Sequence, residues 1–159
     1  QELEVFELRL NDGQIDEAVL RLIDRAIPYH ILFVLVWEDR MRLALAYKET
    51  PDAKSTGVRV ERYYYTDWMP VGEVVLRIEG LSMDAVYENL VRRIAGEALG
   101  DARTSTLRES VAAQGRRERI KKQIAALEAK IQREKQPKRK FELVQQLRAL
   151  ESSLGEGVG

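Results

Sequence analysis

Seven consecutive apolar residues, Ile31 to Trp37, constrain this chain more than any other stretch. The run falls far short of the roughly 18 residues a membrane span requires, and no polar residue interrupts it at alternate positions. Such a segment reads as a central strand covered on both faces. It therefore needs neighbours, and the flanking sequence supplies them. Phe6, Leu8 and Leu10 alternate with Glu7 and Arg9 as a half-buried strand that Asn11-Asp12-Gly13 breaks. Ile15, Val19, Leu22, Ile23 and Ala26 share one helical face, closed by Pro28. Glu38-Asp39-Arg40 reads as a hairpin turn, after which Met41, Leu43, Leu45 and Tyr47 alternate with Arg42, Ala44, Ala46 and Lys48.

Thr50 to Gly57 is a polar loop sequence. Val58 to Tyr65 and Glu73 to Glu79 read as two further strands on either side of a Trp68-Met69-Pro70 corner. Ser82 is placed to cap a helix whose stripe is Met83, Val86, Tyr87, Leu90, Val91 and Ile94. The order strand, helix, four strands, helix predicts an α+β fold. It is a mostly antiparallel sheet of about five strands with two packed helices, both on one sheet face.

The pattern changes after Gly100. Ile120, Ile124, Leu127 and Ile131 step by four, three and four, as in a coiled-coil seam. Gln136-Pro137 interrupts it, with Pro137 suited to a first helical position. Phe141, Val144, Leu147 or Arg148, Leu150 and Leu154 resume the stripe. The prediction is a C-terminal antiparallel helical (coiled-coil) hairpin. The domains are then 1–103 for the α+β part, 104–154 for the hairpin and 155–159 for a disordered tail. A hairpin this short has little core of its own, so it is expected to lean on the α+β domain or to pair with a partner.

Charge separates the same two regions. The 26 Lys and Arg balance the 26 Asp and Glu. From Arg116 to Arg148, however, twelve basic residues face four acidic ones, and most of the compensating negative charge lies before Gly115. An acidic half joined to a basic tail suggests an anionic partner for the tail. Cysteine is absent, which removes disulfides and thiolate metal sites, and the composition suits a reducing cytoplasm. No charged-then-apolar leader is present. Gln1 is not an initiator Met and strand-like sequence begins almost at once, so the chain reads as a fragment.

The basic tip is the leading functional candidate. Lys130, Arg133, Lys135, Lys138, Arg139 and Lys140 crowd the helix ends, with Arg116, Arg117, Arg119, Lys121 and Lys122 lower on the first helix. Such a cluster neutralises phosphates without reading sequence; the plainer alternative is a charged face that serves solubility. His30, the single histidine, cannot build a multi-histidine metal site and reads as a hydrogen-bonded residue at a strand start. Asp39 and Lys48 across the hairpin invite comparison with restriction-type nucleases. Those also need an acid two residues before the Lys, and Ala46 stands there. Tyr63, Tyr65 and Trp68 form an aromatic run suited to a partner interface or to filling a sheet face. No phosphate-binding glycine loop, serine elbow or carboxylate pair at metal spacing is present, so no metal or cofactor is expected.

Several blocks resemble a known family when taken together and in order. They are Glu4-Val5-Phe6-Glu7-Leu8, Val19 to Asp24 running into Ile27-Pro28-Tyr29-His30-Ile31-Leu32-Phe33, Tyr47-Lys48-Glu49 and Asp67-Trp68-Met69-Pro70. Leu81, Asp84-Ala85-Val86-Tyr87-Glu88-Asn89, Arg93-Ile94-Ala95-Gly96 and Gln123 to Glu128 continue the series. The chain resembles the bacterial family catalogued as domain of unknown function 4391. That resemblance implies a further N-terminal segment, and it carries no activity over to particular residues. It implies an accessory role near DNA, since members lie beside helicases and DNA methyltransferases in restriction-modification or phage-defence clusters. Tyr65 stands where similar sequences carry a histidine.

The resulting expectation is a noncatalytic adaptor that binds a protein partner, a helicase or DNA methyltransferase, and contacts DNA through the basic hairpin. The alternatives are a degenerate or split nuclease using Asp39, Lys48 and Glu49, and a coiled-coil homodimerisation module.

Overall fold

The structure, a computed structural model, describes residues 2–49, 59–73, 76–100 and 105–156. It divides into two compact units, Gln1–Gly100 and Asp101–Gly159. In the first unit the elements run β1 (Leu3–Arg9), α1 (Glu17–Ala26), β2 (His30–Trp37), β3 (Arg40–Glu49), β4 (Arg59–Tyr65), β5 (Met69–Pro70) and α2 (Met83–Ala95). The strands form one five-stranded sheet in the order β1-β2-β3-β4, with β5 paired to β3. β1 and β2 are parallel because α1 carries the chain back between them; the other pairings are antiparallel. The β2–β3 hairpin closes between Trp37 and Arg40, with Glu38 in the left-handed region at φ 53°.

The apolar run of β2 is buried on both sides, and two helices do this from opposite faces. Ile31, Phe33 and Leu35 join Leu20 of α1, Ala44, Ala46 and Tyr63 in one buried cluster. Helix α2 packs on β3 and β4, and its Tyr87 stacks on His30, which has the opposite parity to Ile31. The expectation of both helices on one face is therefore corrected. An apolar strand with neither face polar demands cover on each, and the β1–α1–β2 crossover can supply only one.

Two further expectations are revised. Helix α1 buries Leu20 and Asp24 most deeply; of the expected face Ile15 and Ile23 pack against the core, whereas Val19 is exposed and Leu22 remains 70% exposed. No strand forms at Glu73 or at residues 76–79; Val74 and Val75 lie outside the described residues. The residues around the expected corner pair instead, with Met69 and Pro70 opposite Met41 and Arg40. The 77–79 stretch is held along α2, where Asn89 Nδ2 donates to the Glu79 carbonyl at 2.9 Å and Arg93 to the Arg77 carbonyl at 3.4 Å. The loop expected over Thr50 to Gly57 lies outside the described residues.

Ser82 caps α2 as expected, accepting from the Ala85 amide at 3.2 Å. A 3-10 turn, Gly96–Leu99, follows. In the second unit α3 (Leu107–Arg133) opens with a capping box. Thr106 Oγ1 accepts from the Glu109 amide at 3.2 Å, and the Glu109 carboxylate accepts from the Thr106 amide at 2.8 Å. These bonds hold the Glu109 carboxyl below the usual carboxylate range. After residues 134–136, α4 (Pro137–Glu156) starts at the proline and packs on α3. Ile120, Ile124, Leu127, Ile131, Leu147, Leu150 and Leu154 are half-buried. Phe141 is 64% exposed and lies off the stripe assigned to it. Helix α4 continues through Gly155 to Glu156, and 157–159 lie outside the described residues.

Gly80 fixes the entry to α2. Its φ is +152°, and a Cβ there would sit 2.6 Å from the Val86 amide nitrogen. Gly80→Ala is expected to lower stability by about 1–3 kcal/mol; urea unfolding checks it.

Candidate functional site

Two places in the chain concentrate functional chemistry: a buried polar network in the first unit and the basic surface of the second. The network begins with Asp24, the charged residue that α1 turns inward. Its Oδ1 lies 2.7 Å from the Lys48 ammonium, with the side chains 0% and 5% exposed respectively. The contact is an ion pair in which Oδ1 has no well-directed hydrogen bond. The Tyr63 hydroxyl donates to Asp24 Oδ2. Lys48 also donates to the Tyr29 carbonyl at 2.7 Å. The β2–β3 ladder ends at Leu32 and Leu45, which leaves the Ala46 carbonyl and the Lys48 amide of β3 available, and α2 uses them. Tyr87 donates its hydroxyl to the Ala46 carbonyl at 2.8 Å and accepts from the Lys48 amide at 3.0 Å. His30 completes the group, its ring 3.7 Å from that of Tyr87 and 15° from parallel.

The electrostatics follow from this packing. Burial, then the bond to Asp24, pushes the Tyr63 phenol up. Burial does the same for Tyr87. Burial and the charge of Glu17 raise Tyr65 to about 12. His30 is held below the ordinary histidine value of 6.5, first by burial and then by the Lys48 charge, against smaller opposing effects of Asp84 and Asp24. Its Nδ1 is buried without a hydrogen-bond partner among the described residues. The histidine stands at the strand start as expected, and it is held there by the stack on Tyr87 and not by a bond at Nδ1.

The nuclease-like trio does not converge. Asp39 lies in the β2–β3 turn, at the opposite end of β3 from Lys48, about 30 Å along the strand at about 3.3 Å per residue. Glu49 accepts from the Tyr47 hydroxyl at 2.9 Å, on the side away from Lys48. The acid that reaches Lys48 is Asp24, from a helix. Among the described residues no group of three or more His, Asp or Glu could hold a metal ion.

Of the aromatic trio, Tyr63 is a buried core residue. Tyr65 and Trp68 are half-buried and sandwich the Arg42 guanidinium, 4.8 Å from each ring centroid. Trp37 meets Trp68 edge-on at 6.2 Å. Sequence reasoning missed Asp24 and Arg42. The signal for the first was present: Lys48 continues the inward series Ala44, Ala46, and a lysine there requires a buried carboxylate.

The basic residues lie on the surface of the second unit. Arg116, Lys121, Lys122, Lys130, Arg133, Lys135, Lys138, Arg139 and Lys140 are exposed, and Arg117 is half-buried. Arg139 lies 3.7 Å from Glu134. Between the helices a shallow groove of about 490 Å³ is lined by Gln123, Ala126, Leu127, Lys130, Gln146, Ala149 and Leu150. No helix among the described residues is long and apolar enough to cross a membrane.

A mixed α+β unit followed by a unit of two packed helices defines the class of protein. The chain matches the family described as Domain of unknown function (DUF4391) over residues 1–154, and it belongs to that family. No curated protein and no solved structure matches it.

Two outcomes follow from the network. Lys48→Met leaves Asp24 charged and buried, at an expected cost of about 3–5 kcal/mol, and the double change Asp24→Leu with Lys48→Met recovers part of it; paired denaturant titrations measure the coupling. Because the His30 pKa is depressed on folding, the unfolded chain binds more protons below pH 6.5. Stability is therefore expected to fall as pH drops from 6.5 through the folded pKa. His30→Phe, which keeps the stack, removes this component, and the single imidazole signal in NMR reports the pKa directly.

Proposed function

We propose that the chain is a noncatalytic accessory module whose basic helical unit binds the phosphate backbone of nucleic acid. In this reading α3 and α4 form an antiparallel coiled-coil hairpin, and the first unit docks on a protein partner such as a helicase or DNA methyltransferase. The setting implied by the family resemblance is a bacterial restriction-modification or phage-defence system in the cytoplasm.

The observation that carries this reading is the segregation of charge by unit. Gln1–Gly100 holds 18 acidic and 12 basic residues, whereas Asp101–Gly159 holds 8 acidic and 14 basic. Ten of the eleven basic residues singled out in α3, α4 and their connection are exposed. Coiled-coil outer faces are ordinarily mixed in sign, so an excess of this size favours a ligand over solubility. Lys135, Lys138, Arg139 and Lys140 lie within six consecutive positions spanning the link and the first turn of α4. Phosphate contacts made there position nucleic acid without selecting a sequence.

Fluorescence anisotropy of labelled duplex DNA over a salt series tests the proposal. Changing Lys135, Lys138, Arg139 and Lys140 to Glu is expected to weaken binding by about tenfold or more. It should also flatten the slope of log K against log salt by about 0.9 for each phosphate that is no longer neutralised. Binding that survives these changes, or its absence at low salt, overturns the nucleic-acid assignment.

A further inference from the structure

The residues between β5 and α2 are strand-like in sequence yet unpaired, and their exposure is unusual. Leu76, Ile78, Leu81 and Met83 are all exposed, Ile78 at 73% and Leu81 at full exposure (107% on the relative scale). Large apolar residues clustered so closely on a surface mark an interaction site. The backbone is equally lopsided. The carbonyls of Arg77 and Glu79 point at α2, where Arg93 and Asn89 donate to them. In extended backbone, successive residues present their N–H and C=O to opposite edges. Ile78 therefore presents its peptide groups away from α2, and no hydrogen bond engages them among the described residues. Arg77 and Glu79 are exposed and make no ion pair among the described residues.

From these features we infer that residues 76–80 form a self-complementary edge on which a second copy of this chain docks as an antiparallel strand. A two-fold axis through Ile78 places Ile78 opposite Ile78 of the partner copy, where the two exchange N–H···O bonds. The same register sets Arg77 against Glu79 of the partner copy and Glu79 against Arg77 of the partner copy. The sequence Arg77-Ile78-Glu79 thus satisfies in one alignment the apolar, hydrogen-bonding and charge requirements of an antiparallel pair. Such an interface is isologous and closes at a dimer. Leu81 and Met83, at the start of α2, add apolar surface beside the pair. Gly80, where a Cβ would sit 2.6 Å from the Val86 amide nitrogen, brings the end of this edge close against the first turn of α2. This inference is independent of nucleic-acid binding by the second unit.

Sedimentation velocity of the full chain across a dilution series tests it. Wild type is expected to pass from monomer to dimer with concentration. Arg77→Glu and Glu79→Arg each replace two opposite-charge pairs by like-charge pairs, so each is expected to weaken association about tenfold. The double variant Arg77→Glu, Glu79→Arg restores the pairs with their signs exchanged and should associate like wild type. An equimolar mixture of the two single variants should form a heterodimer for the same reason. Both positions are at the surface, and circular dichroism checks that each variant is folded. A wild type that stays monomeric, single variants that associate normally, or a double variant that fails to recover would each overturn the inference. Association abolished only when Lys135, Lys138, Arg139 and Lys140 are changed to Glu would place the dimer interface in the helical unit instead, and would also overturn it.

Discussion

The ion pair between Asp24 and Lys48 is the interaction on which the first unit turns. It joins the last turn of α1 to the end of β3, in an environment where either charge alone would be severely destabilising. Its consequences reach beyond the two residues. Asp24 must face the sheet, so α1 is rotated to bury Leu20 with it and to leave Val19 and Leu22 outward. Lys48 must reach across just beyond the end of the β2–β3 ladder, and the backbone groups left open there, the Ala46 carbonyl and the Lys48 amide, are taken by the Tyr87 hydroxyl of α2. One buried pair thereby sets the phase of one helix, and the main chain of the same lysine helps to anchor the other. Tyr63 and His30 complete the arrangement, the first by donating to Asp24 and the second by stacking on Tyr87.

This network is suited to specifying structure. Every charged member is partnered within the protein, and the nearest acidic groups expected of a nuclease-like centre lie elsewhere. The formal charges of the chain are instead divided between the two units, an excess of six negative in one and six positive in the other. A chain with zero net charge can thus carry opposite potentials on two parts, and each part selects a different kind of surface.

Much of the fold is legible in the sequence because it rests on periodicity. The β2 run, the alternation of β3, the Ser82 cap and the α2 stripe from Val86 to Ile94 each express one local rule, and the structure follows them; Met83, at the start of that stripe, is exposed. The failures share a cause. Counting apolar positions turns Val19 and Leu22 inward, but a charged residue with a buried partner outranks them. Glu73 to Glu79 has the composition of a strand, but strand formation needs an available neighbour, and the side chains of Asn89 and Arg93 hold this stretch along α2. Pairing is a tertiary property, and alternation alone does not reveal it. Of the candidate site residues, the basic set is legible as a composition bias. The role of Tyr63 is not, because it depends on Asp24, thirty-nine positions away.

Hydrogen–deuterium exchange of the full chain, with and without a saturating short DNA duplex, tests the central claim that the basic unit is the ligand-binding part. The account predicts slowed exchange in residues 116–140, with the amides of β2 and β3 unchanged. Protection confined to the sheet unit, or no change anywhere at DNA concentrations that titrate the basic residues, would contradict it.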